Sequence, residues 1–184
     1  MNNQQPPISQ ADIEARAYLL HTARVILLAV PPPVALAFCL EAFDGMSEIK
    51  APEGVELNLD VAILKHACAA FCKGTESLPE SAYDIPDEHD WIVPLMGAIG
   101  QYAPGAPGAL YMVSETILRV LSGSIPQEAL SLPKETFVVP EATRTLAVKI
   151  LAYTEACASA ARSYFEKKVV GSTPAAPTSA TTSA

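Results

Sequence analysis

The sequence has little charge and few aromatic residues. Charged residues make up 17% of its 184 positions and aromatic residues 7%, with a single tryptophan. Basic residues are the scarcer charged class, with 12 lysines and arginines against 20 aspartates and glutamates. The net charge of −8 opposes non-specific binding to a phosphate backbone, which depends on clustered lysine and arginine. The composition therefore does not indicate a free-standing nucleic-acid-binding protein, although an acidic chain can still carry a local basic groove.

The sequence also lacks an unbroken apolar run long enough to cross a bilayer. Two stretches are free of charge, 25–40 and 91–114, and both contain helix-breaking residues. The first holds three consecutive prolines at 31–33, and the second holds Pro94, Pro104, Pro107 and four glycines. A spanning helix needs about 20 consecutive apolar residues. We therefore predict that both stretches are buried core and that no segment spans a membrane.

No secretion signal is evident at the amino terminus. Residues 1–16 are polar and include two prolines, so they lack the basic segment and the apolar segment of a signal peptide. We expect a cytoplasmic or otherwise intracellular protein. The four cysteines, Cys39, Cys68, Cys72 and Cys157, are then expected to be buried, unpaired thiols, because reducing compartments keep cysteine reduced.

Half of the residues are apolar, which favours one folded domain. Apolar residues recur at helical spacing along most of the chain, and this pattern predicts an all-α fold: an irregular bundle of five or six helices with a long C-terminal helix. We expect a flexible N-terminal arm at 1–8, a single helical domain at 9–171, and a disordered Ser/Thr/Ala/Pro tail at 172–184.

The first predicted helix covers 9–30 and is ended by the triple proline. Its expected inner face consists of Leu19, Leu20, Ala23, Ile26, Leu27 and Val30. A second helix is expected to open at Pro32 or Pro33 and to run through Phe43, with Gly45 as a left-handed stop.

Further helices are predicted over 58–73, 87–102, 107–122 and 140–169, the second of them with a kink or late start at Pro94. In the third, Glu115 and Arg119 have the spacing of an i,i+4 ion pair, and Gly123 follows as a stop. The expected inner stripe of the last helix consists of Leu146, Ile150, Tyr153, Cys157 and Tyr164.

Two clusters offer metal-ligand residue types. Asp87, Glu88 and His89 lie in an acidic run, but the run lacks the central glycine of a calcium loop, so a solvated helix start is the favoured interpretation. His66 lies 200° around a helix from Cys68, so these two residues and Cys72 cannot converge on one ion. The sequence predicts no cofactor, and the glycines between 97 and 108 lack the strand and the lysine of a phosphate-binding loop.

An apolar ligand pocket is a further hypothesis. Its candidate lining is Trp91, Tyr102, Tyr111 and Met112, with Tyr153, Tyr164 and Phe165 as additional aromatic residues. Ordinary core packing explains the same residues and is the favoured interpretation.

The functional expectation rests on the missing catalytic motifs, the many small residues and the long last helix. We expect a non-enzymatic helical interaction or assembly protein, and more specifically a structural subunit that self-associates. A small apolar-ligand-binding bundle is the alternative, and an enzyme with a dispersed site around His89 comes third. Should the protein coat an anionic polymer, the basic residues to place on one surface are Arg16, Arg24, Arg144, Lys149 and Arg162.

Overall fold

A computed structural model of the chain describes residues 9–47, 78–102 and 108–171, together with 69, 72–74 and 76. Within these residues the regular structure is helical and includes no strand, so the all-α prediction is confirmed. The α-helices are α1 (Gln10–Ala29), α2 (Pro32–Ser47), α3 (Ile92–Tyr102), α4 (Ala109–Ser122) and α5 (Glu141–Gly171). Single 3₁₀ turns lie at Glu80–Ala82, Asp87–His89 and Gln127–Leu130.

Helix α1 begins where the sequence predicts. The carbonyl of Ser9 accepts the amide of Ile13 at 3.2 Å and so closes the first helical turn. The inner face is largely as expected, with buried side chains at Leu19, Ala23, Ile26, Leu27 and Val30. The placement of Leu20 in this face was wrong, because Leu20 lies at the edge of the buried stripe and is 49% exposed.

The triple proline makes a corner between α1 and α2. The carbonyl of Pro31 accepts the amides of Val34 and Ala35, which opens α2. Pro32 and Pro33 occupy the first two helical positions, where a missing amide costs no hydrogen bond. The chain therefore turns without a linker, and the direction of α2 is fixed by rigid residues.

Helix α2 is longer than predicted. It continues to Ser47, and Gly45 lies inside it, so the expected left-handed stop at Gly45 was wrong. Phe43 and Met46 are both buried on the inner face. Burying the Met46 side chain stabilises the additional helical turn. This gain in free energy outweighs the cost of placing Gly45, a weak helix former, inside the helix.

Helix α3 starts late, as the proline in its sequence indicates. The turn Asp87–His89 precedes it, and the helix begins at Ile92. Pro94 therefore lies in the first turn, where its ring removes no intrahelical hydrogen bond. Ile92, Met96 and Ile99 are buried.

Helix α4 lies at the centre and contacts α1, α2, α3 and α5. It begins at Ala109, two residues later than predicted. The buried residues of α4 are Ala109, Val113, Ser114, Ile117, Leu118, Val120 and Leu121. The helix ends at Gly123, whose φ of 83° is in the left-handed region that glycine adopts without strain, as predicted.

Helix α5 runs antiparallel to α4. An added Cβ at Gly123 would lie 2.9 Å from Nη1 of Arg144, whereas Arg119, earlier in α4, binds Glu155, later in α5. The 31 residues of α5 extend about 46 Å, more than twice the length of α4.

The inner stripe of α5 differs from the predicted one. The buried residues are Thr143, Ala147, Ile150, Leu151 and Thr154. Ile150 was placed correctly, and so was Leu146, which is half-buried and packs against the core. Cys157 is half-buried, the inward placement of Tyr153 was wrong because it is exposed, and Tyr164 lies outside the described side chains. The buried stripe of α5 therefore combines small, aliphatic and threonine side chains, and it is rotated away from Tyr153.

Some predictions concern parts of the chain outside the described residues. These are the arm at 1–8, the tail at 172–184, Cys68, and most of the helix over 58–73, of which 69 and 72–73 are helical. Cys39 is buried, and Cys72 and Cys157 are half-buried; among the described residues none of the three forms a disulfide. No helix in the described part is long and apolar enough to cross a membrane.

The central position of α4 predicts a large difference between two leucine truncations. Leu118→Ala removes a fully buried side chain and is expected to lower the free energy of unfolding by about 2 to 5 kcal/mol. Leu20→Ala removes a half-exposed side chain from α1 and is expected to cost about 1 kcal/mol at most. Urea denaturation followed by circular dichroism measures both, and similar losses would contradict the packing described here.

Candidate functional site

Helix α1 is apolar on both of its sides. One side packs on the core, yet the described part of the chain has eleven exposed large hydrophobic residues, and five of them lie on α1. These five are Ile13, Tyr18, Leu20, Val25 and Leu28, and three of them, Tyr18, Val25 and Leu28, lie on the side facing away from the core. A helix that is hydrophobic all round is typical of a helix covered on all sides. The side of α1 that faces away from the core therefore has the composition of a contact surface.

We define the outer face of α1 as Glu14, Ala17, Tyr18, His21, Val25 and Leu28. All six are exposed, and on a helical wheel they lie within 60° of the direction opposite the buried stripe, about one third of the circumference. Glu14, Tyr18 and His21 are its titratable members. From Ala17 to Leu28 the aliphatic members and Tyr18 recur along the helix.

Arg24 lies at the edge of the outer face and is half-buried. Its Nε is buried without a hydrogen-bond acceptor among the described residues. Glu14, near the other end of the face, accepts a hydrogen bond from Nε2 of Gln10 at 3.0 Å. An acidic group thus lies near the start of the face and a basic group near its end.

The structure describes the side chains of three of the four candidates for the aromatic pocket, Trp91, Tyr111 and Met112. Trp91 and Met112 are both exposed, at 42% and 40%. Tyr111 is half-buried and contacts Phe43 edge-to-face, with ring centroids 5.6 Å apart. The side chains of Tyr102, Tyr164 and Phe165 lie outside the described part, and Tyr153 is exposed beside Gly74.

A cleft between aliphatic and proline residues does occur elsewhere, at the proline corner, although more of its accessible surface is polar than apolar. Its volume is about 340 Å³, and it lies between the last turn of α1, Pro31, Pro32 and the segment with Pro133, Thr136 and Phe137. The prolines fix one wall, and Phe137 is held by its amide, which donates to the carbonyl of Pro133 at 3.0 Å. None of the four predicted pocket residues lines this cleft.

The acidic run does not gather into a metal site. Asp87 and Glu88 are exposed, and His89 is half-buried, with its Nε2 3.8 Å from Oε1 of Glu88. Across the described ranges no three His, Cys, Asp or Glu side chains form a group that could hold a metal ion. His66 and Cys68 lie outside these ranges, and the Sγ of Cys72 donates to the carbonyl of Phe43 at 3.6 Å.

The basic residues considered for an anionic polymer lie on two helices. Arg16 and Arg24 belong to α1, and Arg144 and Lys149 to α5. Arg144 and Lys149 are 140° apart on their helix, so they point in different directions. The side chain of Arg162 is outside the described part.

Arg119 forms ion pairs that link α4 to α5. Nη2 of Arg119 lies 2.8 Å from Oε1 of Glu115 and 3.0 Å from Oε1 of Glu155. The hydrogen bond to Glu115 raises the pKa of Arg119 above its ordinary value, and Glu155 adds to this effect. The predicted i,i+4 pair is confirmed, and it acts as a clamp between α4 and α5 rather than as a reactive group.

Comparisons with protein-family models, with curated protein sequences and with solved structures found no match. Sequence reasoning had missed the outer face of α1, although the segment from Val25 to Ala29 carries five apolar residues in succession. Five successive apolar residues cover every side of a helix, and this signal was available from the sequence alone.

The thiol of Cys39 is predicted to be chemically inert in the native protein. Complete burial raises its pKa, and its Sγ donates to the carbonyl of Ser114 at 3.5 Å. Because the thiolate is the nucleophile, Cys39 should stay unmodified by iodoacetamide while Cys157 is labelled. Peptide mass spectrometry of native and urea-unfolded protein measures this, and equal labelling of both residues in native protein would contradict the buried position of Cys39.

Proposed function

We propose that this protein is a non-enzymatic helical interaction protein that self-associates as a structural subunit. The observation that supports the proposal is the outer face of α1. Isolated exposed hydrophobic residues are normal on a protein surface, but a row of them along one helix is typical of an interaction site.

Burial of this face would contribute free energy to association. Burial of apolar surface contributes about 25 cal/mol per Å², and Tyr18, Val25 and Leu28 expose apolar surface along the same row. Tyrosine is also enriched at protein interfaces because its ring is large and loses few rotamers on binding. The position on a regular helix adds to this, since a rigid surface loses little conformational entropy when it docks.

The proposal predicts that Val25→Lys weakens self-association by about tenfold or more, because a charge would replace an apolar contact at the centre of the face. Sedimentation velocity of the full chain between about 5 and 200 µM covers the range of a weak to moderate dimer. Lysine favours helix as well as valine does, so the fold should be retained.

Val148→Lys is the matched control for this experiment. Val148 is 49% exposed against 42% for Val25, and it also lies on the surface of a helix. The control should associate like the natural sequence. A monomer at every concentration of the natural chain would refute the proposed function.

A second candidate function is the binding of a small apolar ligand, favoured by the cleft at the proline corner. Its volume of about 340 Å³ is at the lower end of the range for ligand pockets. The rigid proline wall means that the cleft needs no rearrangement to accept a ligand. The ligand hypothesis is therefore tested at this cleft and not around Trp91.

The ligand hypothesis predicts that anilinonaphthalene sulfonate, an apolar fluorescent probe, gains emission in the cleft. Thr136→Trp would fill the cleft and is expected to remove that gain. Val138→Trp adds the same side chain two residues further on, at a position that is 67% exposed and outside the cleft, and should retain it. Equal emission from the two variants would exclude the cleft as the binding site.

A further inference from the structure

The outer face of α1 extends equally far to either side of His21, which lies seven residues from Glu14 and seven from Leu28. Its central residues are Glu14, Tyr18, His21, Val25 and Leu28, at successive intervals of four, three, four and three residues. This is the heptad spacing of helices that pack side by side. His21 is the midpoint, with two contact positions on each side of it.

We propose that two copies of the chain pair through α1, with the helices antiparallel across a two-fold axis at His21. The inference rests on the proposed self-association and names its surface and geometry. A two-fold interface needs a patch that is complementary to itself. In this arrangement residues at equal distances from His21 lie at the same level, so Ala17 of each copy lies opposite Val25 of the other and Glu14 lies opposite Leu28.

The charges along α1 favour the antiparallel direction. Glu14 lies in the amino-terminal half of the helix and Arg24 in the carboxyl-terminal half. An antiparallel pair brings Glu14 of each copy within side-chain reach of Arg24 of the other, whereas a parallel pair would align like charges. Within the described ranges no carboxylate forms an ion pair with Arg24, so a partner's carboxylate would supply one.

The packing at the axis also fits a second copy of this helix. Ala17 lies one turn before His21 on the outer face, and its small side chain allows the backbones to approach. Both His21 and Ala17 are exposed, so neither must leave the core for the helices to meet.

Engineered cysteines test the position of the axis in the full chain. In the proposed pair His21→Cys lies opposite its own copy, within the roughly 7 Å Cα separation that a disulfide requires. Glu14→Cys and Leu28→Cys would each lie about 21 Å from their own copies. Copper phenanthroline should therefore cross-link His21→Cys to a dimer and leave the other two variants separate, while a mixture of those two should cross-link. The natural sequence, treated identically, measures the background from the native cysteines.

The outcomes separate this inference from the proposed function. If Glu14→Cys and Leu28→Cys cross-link to themselves as readily as His21→Cys, the helices are parallel and the inference fails. If sedimentation shows a dimer but His21→Cys cross-links no more than background, the chain associates through another surface; the inference again fails and the proposed function stands. A chain that stays monomeric refutes both.

Charge reversal provides an independent test of the direction. Glu14→Arg alone and Arg24→Glu alone each place like charges together twice in the dimer, and each is expected to weaken association by about tenfold. The double variant restores opposite charges and should recover the natural affinity. Failure of the double variant to recover, with an unchanged circular dichroism spectrum, would overturn the antiparallel assignment.

Discussion

The burial of α4 is the constraint on which the rest of the described structure depends. Four helices pack around this one element, and its two charged residues, Glu115 and Arg119, are paired with each other. Helix α4 has only 14 residues, and four helices pack against it. Each of these four helices therefore also has a side that faces away from α4. For α5 and α2 that second side is mainly polar or small, but for α1 it is a row of apolar residues.

The proline corner makes this arrangement rigid. Because Pro31 to Pro33 join α1 to α2 without a flexible linker, the corner provides no loop that could cover the outer face of α1. The same corner forms one wall of the cleft. The outer face and the cleft, the two features that could carry function, thus both border this corner.

Local signals predicted the helix boundaries where a single residue decides them. Ser9, the triple proline, Pro94 and Gly123 each act through one backbone position, and each lies where the sequence indicated. The incorrect predictions concern which side of a helix is buried in the core. Leu20 and Tyr153 are apolar and periodic, but their exposure depends on how α1 and α5 are rotated about their axes against α4, which spacing alone does not determine. Trp91 and Met112 are exposed for a similar reason, because residue type and spacing do not determine which side chains meet in space.

Hydrogen–deuterium exchange of the full chain at two protein concentrations, about a hundredfold apart, tests the central claim most directly. Self-association through the outer face predicts that exchange slows at the higher concentration in peptides from α1, while peptides from α3 and α5 keep their rates. Slowing confined to another helix, or equal rates for α1 at both concentrations, would contradict the account.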